Sequence, residues 1–337
     1  MILKSGVGAY ANMFVFLIVG AYFGSNCPQS FSQNTAVREP VSSPQAIQSP
    51  AIIYRRPIID VHLHTDPPIS AMGVPNPVTG SKPAATPTEL RDSVIEQCKR
   101  YNIVRGVLNG YPGTLKSWVD KDPKRFISAP MILEQDKHPV IDVATLRQEL
   151  REGRAGALGE IISQYVGLEP NDPALEPYWA LAEELGVPTM IHTGTSFPGT
   201  PYFGYPAFRL RLGNPLLLED VLVKHPKLRL WIAHGGEPWT EETFALMAEY
   251  PQIYMDVSTI NWIGGPAGRP AFHAFLKQAI DRGLETRIMF GSDQMGWPDA
   301  IGLAIAGVDS APFLTSDQKH DIFYGNATTF FLLRDQD

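Results

Sequence analysis

The feature that most constrains this chain is an alternation. From residue 58 onward, short apolar runs rich in Val, Ile, Leu and Met take turns with longer amphipathic stretches. The runs are IIDVHLH (58–64), VRGVLN (104–109), FISAPMI (126–132), GALGEI (156–161), PTMIH (188–192), LRLWIAH (228–234), IYMDVS (253–258) and IMFGSD (288–293), eight in all. Near-continuous apolar runs of this length fit strands covered on both faces, as in a parallel sheet. The stretches between them carry helical signals. TPTELRDSVIEQCKRYN (86–102) places Leu90, Val94, Ile95 and Cys98 on one face. DPALEPYWALAEELG (172–186) opens on an Asp cap followed by Pro and closes on Gly. NPLLLEDVLVKHP (214–226) and RPAFHAFLKQAIDRG (269–283) behave the same way. Eight such units over residues 58–337 predict an α/β fold, a single-domain (β/α)8 TIM barrel. A doubly wound open sheet is the runner-up.

What precedes the barrel has a different character. Lys4 is followed by an apolar stretch, Ala9 to Gly24, short of the roughly 20 residues of a comfortable membrane span. Residues 1–27 therefore read as a secretory signal peptide or, left uncleaved, an N-terminal anchor. Residues 28–57 are rich in Pro, Ser and Gln and too poor in apolar surface to offset their ordering entropy, which makes them a linker. The expectation is an exported protein, periplasmic or secreted, or one tethered to a membrane by its N-terminal segment. The net charge of −7, with no block of like charge, offers no basic face for nucleic acid. The expected partner is a small-molecule substrate, with oligomerisation left open. Of the two cysteines, Cys27 lies beside the apolar segment and Cys98 in a predicted helix, where it reads as a small buried apolar residue.

Polar residues of one kind collect at the ends of the runs. His62 and His64 end the first, Glu160 is near the end of the fourth, His192 ends the fifth, His234 the sixth and Asp293 the eighth. In a barrel the carboxyl ends of the strands converge on one mouth, where active sites form. Because strand side chains alternate, His62 and His64 share a face and can reach one ion. Imidazole and carboxylate suit Zn²⁺ and related divalent metals, one ion or two. The remaining histidines, His138, His225, His273 and His320, fall in predicted loops or helices and look like surface residues.

These marks together resemble the amidohydrolase superfamily, specifically its amidohydrolase-related (amidohydrolase 2) branch. They are DVHLHTD (60–66), GEI (159–161), IHTG (191–194), IAHGGEPW (232–239) and FGSD (290–293), and the resemblance covers about residues 58–334. It implies that His62, His64 and His192 bind the metal. It implies that Asp293 both touches the metal and shuttles protons. His234 is similar to the histidine that polarises the substrate in mononuclear members and binds a second ion in binuclear ones. Glu160 stands where some binuclear members have a bridging acid.

The implied activity is hydrolysis of an ester, lactone or amide by metal-activated water, with Asp293 and His234 as the catalytic pair. The same branch contains non-oxidative decarboxylases and hydratases, so a lyase acting on a carboxylic acid is the alternative. A non-catalytic metal-binding protein is the second alternative. Substrate contacts are sought in the loops. Tyr205, Arg209 and Arg211 lie in the long loop after His192, and Trp239, Trp262 and Trp297 follow other strand ends. The aromatics suit a planar or apolar group and the arginines a carboxylate. Equally, the aromatics would pack the loop and the arginines would be solvated.

Overall fold

The computed structural model describes residues 52–65, 73–133 and 139–334. The expected signal segment, Cys27, most of the linker, Asp66 and His138 lie outside the described residues.

Eight parallel strands follow one another in the order of the sequence. They are β1 (Ile58–His64), β2 (Ile103–Gly110), β3 (Phe126–Pro130), β4 (Leu158–Ile161), β5 (Thr189–Ile191), β6 (Leu230–Ile232), β7 (Ile253–Asp256) and β8 (Ile288–Met289). Regular pairing forms two arcs, β1-β2-β3 and β4 through β8. Irregular hydrogen bonds close the cylinder. The amides of Gly156 and Ala157 both donate to the Ser128 carbonyl, at 2.9 and 3.2 Å, joining β3 to β4. The Val61 amide donates to the Phe290 carbonyl at 3.0 Å, and the Asp293 amide to that of His62 at 2.8 Å, joining β8 back to β1. Sequential order with closure is the TIM barrel, and it rules out the doubly wound sheet.

Each strand is followed by a helix: α1 (Pro87–Arg100), α2 (Pro112–Val119), α3 (Val143–Arg151), α4 (Glu176–Leu185), α5 (Glu219–Lys224), α6 (Thr240–Glu249), α7 (Gly265–Asp281) and α8 (Ala300–Asp309). The local chemistry explains where they begin and end. Thr86 caps α1 by accepting from the Glu89 amide at 3.1 Å, and Leu90, Val94, Ile95 and Cys98 bury its inner face. Gly186, at φ 63°, terminates α4 in the left-handed conformation that a side chain disfavours. Two helices differ from the sequence expectation. Asp172 caps a short turn, so α4 itself starts at Glu176. Helix α7 starts four residues before Arg269, because Pro270 in its second turn removes a single backbone bond without stopping the helix. Among the described residues no helix is long and apolar enough to cross a membrane.

The barrel interior is packed. Ile59, Val61, Val107, Ala129, Ala157, Met190, Trp231, Ala233 and Met289 form one buried cluster, drawn from nearly every strand or its flank. A last helix, α10 (Asn326–Phe331), which follows the short α9 (Ser316–His320), closes the floor. Its Phe330 and Phe331 rings pack on the Trp231 indole at 5.5 and 5.4 Å. Arg229, at the amino end of β6, lies over the Phe330 ring at 5.4 Å, which places this plug at the end opposite the histidines. Cys98 is buried and free, its thiol pushed up by burial, as expected of a packing residue.

Trp231→Ala should remove the centre of the floor. We expect a loss of about 3–5 kcal/mol in unfolding free energy, read from the urea midpoint at constant slope.

Candidate metal centre

All six ligand-type residues selected from the sequence meet at the carboxyl ends of the strands, and every one of them is buried. The imidazoles of His62 and His64 face each other with their Nε2 atoms 3.2 Å apart. Asp293 Oδ1 lies 3.2 Å from His64 Nε2 and 3.7 Å from His62 Nε2. Glu160 approaches the same nitrogens with Oε2, at 3.5 Å from His64 and 3.7 Å from His62. Its other oxygen, Oε1, takes a hydrogen bond from His192 Nδ1 at 2.8 Å and stands 3.7 Å from His234 Nε2. Among the described residues, donor atoms thus gather into three overlapping groups, each within 4.8 Å: His62–His64–Asp293 and Glu160–His192–His234 from the six residues above, and His62–His234–Asp256.

The backbone is bent to make this happen. His234 has φ 60° and Asp293 φ 46°, both in the left-handed region that non-glycine residues rarely occupy. Gly291 is required by proximity: a Cβ there would stand 2.8 Å from the His62 Cβ and 3.1 Å from that of Ser258. Behind the donors lies a set of holding groups. Asp256 Oδ2 accepts from His62 Nδ1 at 3.1 Å, and its Oδ1 from the amides of His234 and Ser258 at 3.1 and 3.0 Å. Asp60 Oδ1 accepts from the amides of His62 and Ser292 at 3.1 and 3.0 Å, and burial pushes this carboxyl up to about 7. Gln294 exchanges two hydrogen bonds with the His64 backbone, at 3.0 and 2.6 Å. Thr259 donates to Asp293 Oδ2 at 2.5 Å.

Within this set of six, among the described residues, two buried atoms have no hydrogen-bond partner, His192 Nε2 and Asp293 Oδ1. A buried imidazole nitrogen and a buried carboxylate oxygen both need one. A divalent cation satisfies them, and nitrogen with oxygen donors in this number is the chemistry such ions prefer. The residues therefore fit a metal.

The electrostatics agree. Burial disfavours charge on His62, but the carboxylates of Asp293 and Asp256 outweigh it and raise its pKa well above the ordinary imidazole value. His234 is likewise raised, burial being outweighed by Glu160 and Asp293. Glu160 is held well below the usual carboxylate range, because the hydrogen bond from His192 and the neighbouring imidazoles of His234 and His62 outweigh its burial. Asp293 is lowered for the same kind of reason, chiefly by His62. His192 is lowered, and there burial wins.

The loop after β5 arches over this set. Its neck is closed by the Gly194 amide, which donates to the Gly213 carbonyl at 2.9 Å. The buried Gln164 amide donates to the carbonyls of Gly194 and Leu210 at 3.0 and 3.4 Å. Tyr165 stands edge-on to the His192 ring at 4.8 Å, touches Tyr205 and Phe208 of the loop, and donates to Ser196 Oγ at 2.7 Å. The expected substrate residues divide. Tyr205 joins this aromatic cluster. Trp262 and Trp297 are buried, 6.1 Å apart, and bond the carbonyls of Ser292 and Val74, while Trp239 is half-buried at the start of α6. Arg209 is exposed and donates to the Pro206 and Phe208 carbonyls of its own loop, and Arg211 is exposed.

Sequence reasoning missed Asp256, Ser258 and Asp60. The first two sit at the carboxyl end of the seventh run, where the strand-end rule applied to the other runs would have found them. It also read His225 as a surface residue. The structure buries His225 and bonds it to Glu183 at 3.0 Å, through a carboxylate on α4 that no local pattern announces.

A closed barrel with a buried cluster of imidazoles and carboxylates, two of its atoms unpartnered, defines a metal-dependent (β/α)8 enzyme. The chain belongs to the amidohydrolase 2 family, whose model, described as Amidohydrolase, matches residues 59–333. Among curated proteins it resembles Protein fluG of Emericella nidulans, at 24% identity over 117 residues, 35% of this chain. The match spans only 12% of that protein's length. Among solved structures it is similar to an uncharacterised TIM-barrel protein from Bordetella bronchiseptica (TM-score 0.63, 19% identity, 82% of this chain and 99% of that one). It is also similar to a dihydroxybenzoic acid decarboxylase from Polaromonas sp. JS666 with bound manganese and the inhibitor 2-nitroresorcinol (TM-score 0.59, 16% identity, covering 83% and 98%). A third is a candidate 2-pyrone-4,6-dicarboxylic acid hydrolase from Acinetobacter baumannii with citric acid bound (TM-score 0.56, 16% identity, covering 82% and 99%). At these identities the structures share the fold.

Two outcomes are expected. Asp256→Asn removes the charge behind His62 and should weaken metal affinity about 10- to 100-fold in a chelator competition. Metal must also displace protons from the raised His62 and His234, so loading releases protons and is favoured by higher pH. Affinity should rise from pH 6 to 8 by up to about tenfold per unit for each proton released; an affinity flat with pH would contradict this.

Proposed function

We propose that the protein is a metal-dependent hydrolase that adds water to the carbonyl of a small ester, lactone or amide, with Zn²⁺ as its resident ion. One observation carries this reading, the two-sided environment of Asp293. Its Oδ2 is anchored by the Thr259 hydroxyl, while Oδ1 is buried, unpartnered and aimed at His64 Nε2. A carboxylate held by one oxygen and free at the other is placed to take a proton from water and return it to the leaving group. A divalent cation bound there supplies Lewis acidity and brings the pKa of water towards about 7. Around it, His62 and His64 present Nε2, Glu160 orients His192, and His234 Nε2 faces the same volume as a further nitrogen ligand or proton acceptor. The donor groups leave room for one ion or two.

Charge balance supports a neutral substrate. Among the described residues, Glu160, Asp256 and Asp293 are paired by histidines alone, with no lysine or arginine beside them to hold a carboxylate. The alternative, a decarboxylase or hydratase of a carboxylic acid, draws on the aromatic cluster of Tyr165 and Tyr205, which suits a planar ring, and on the likeness to the Polaromonas decarboxylase. Trp262 and Trp297 would back the substrate pocket, and the apolar stretch from Ala9 to Gly24 supports export or a membrane tether.

The metal-loaded enzyme should hydrolyse at least one class in a panel of esters, lactones and amides, and lose turnover on chelation. Asp293→Asn should stay folded with turnover lower by at least about 10³-fold. Release of carbon dioxide from an aromatic acid, without hydrolysis of any carbonyl substrate, would instead make it a lyase.

A further inference from the structure

The Ser258 hydroxyl lies within hydrogen-bond distance of two histidines on different strands. Its Oγ lies 3.0 Å from His62 Nδ1 and 2.9 Å from His234 Nδ1, and it donates to Asp256 Oδ1 at 2.6 Å. All the groups involved are buried. A hydroxyl has one hydrogen and two lone pairs. The short contact to a buried carboxylate, which can only accept, uses that hydrogen. The oxygen then meets both imidazoles as an acceptor, so each Nδ1 must carry the proton.

For His62 this is redundant, because Asp256 Oδ2 accepts from the same nitrogen at 3.1 Å. For His234 it is not. The next carboxylate oxygen, Asp293 Oδ2, is 4.0 Å from its Nδ1, beyond hydrogen-bond reach. We infer that Ser258 is the positioning residue that fixes the tautomer of His234, holding the ring protonated at Nδ1 so that Nε2 faces Glu160 and the metal ligands as a bare lone pair. Asp256 then controls His234 twice. It grips the backbone amide at 3.1 Å, at the left-handed kink, and it governs the ring through the serine. Which ring nitrogen carries the proton is set by the hydrogen bond the other makes. The consequence for turnover rests on the hydrolase reading; the tautomer does not.

The experiment is nitrogen NMR of the metal-free full chain with ¹⁵N-labelled histidine, with the pH raised until the His234 ring nitrogens themselves report the neutral form. Long-range ¹H–¹⁵N correlations distinguish the two tautomers. His234 should be Nδ1–H in the native protein and in Ser258→Thr, which keeps the hydroxyl. In Ser258→Ala the dominant form should become Nε2–H. A native ring protonated at Nε2, or an alanine variant that retains the native tautomer, overturns the inference, and the first of these needs no variant to fold. On a hydrolysed substrate, Ser258→Ala should lower kcat about 10²-fold with KM within about threefold, and Ser258→Thr should recover most of it. A raised KM at unchanged kcat would break the link to turnover. A protein that hydrolyses nothing would count against the proposed function and leave the NMR result to decide the tautomer.

Discussion

The structure turns on one electrostatic constraint: three carboxylates and four imidazoles are buried together at the mouth of a closed barrel. Unpaired, each charge would cost several kcal/mol in so dry a place. Here the two kinds offset each other. Neighbouring histidines hold Glu160 below the usual carboxylate range, and neighbouring carboxylates raise the pKa of His62 and His234. What the mutual pairing leaves over, the bare nitrogen of His192 and the bare oxygen of Asp293, is what a cation completes. Metal binding and internal ion pairing are therefore competing solutions to the same burial problem.

The rest of the molecule serves that cluster. The floor made by Trp231, Phe330 and Phe331 fills the lower barrel, so the chemistry is confined to the upper rim. Hydrogen bonds from the Ser292 amide to Asp60 and from the Asp293 amide to the His62 carbonyl tie β1 to β8, bringing residues more than two hundred positions apart in the chain to within contact distance. A side chain that must be aimed to a few tenths of an ångström needs its partners fixed as well. Asp256, Ser258, Gln294 and Thr259 supply this, each gripping one of these residues by an atom other than the one that would bind a metal. The arch after β5, clipped by Gln164 and resting on Tyr165, covers the site without contributing a donor.

Much of this was legible in the sequence. The eight apolar runs correspond to eight strands, because a strand buried on both faces has no polar alternative. The six donors were legible for a related reason: histidine, glutamate and aspartate at the ends of apolar runs are too costly to be incidental. The pairings were less accessible. Asp60 and Asp256 are as deeply buried as the ligands, yet neither stands out in IIDVHLH or IYMDVS, since aspartate near a strand end also caps turns. His225 looked exposed because Glu183, its partner, belongs to the preceding helix.

The sequence by itself determined the barrel and the identity of the donors, since periodicity and the cost of burying a polar group act locally along the chain. Tertiary structure decided which nitrogen of each histidine faces inward, which oxygen of Asp293 is free and where the arginines of the long loop go. Those outcomes depend on hydrogen bonds between strands far apart in sequence, and on left-handed turns at His234 and Asp293 that only the closed cylinder enforces.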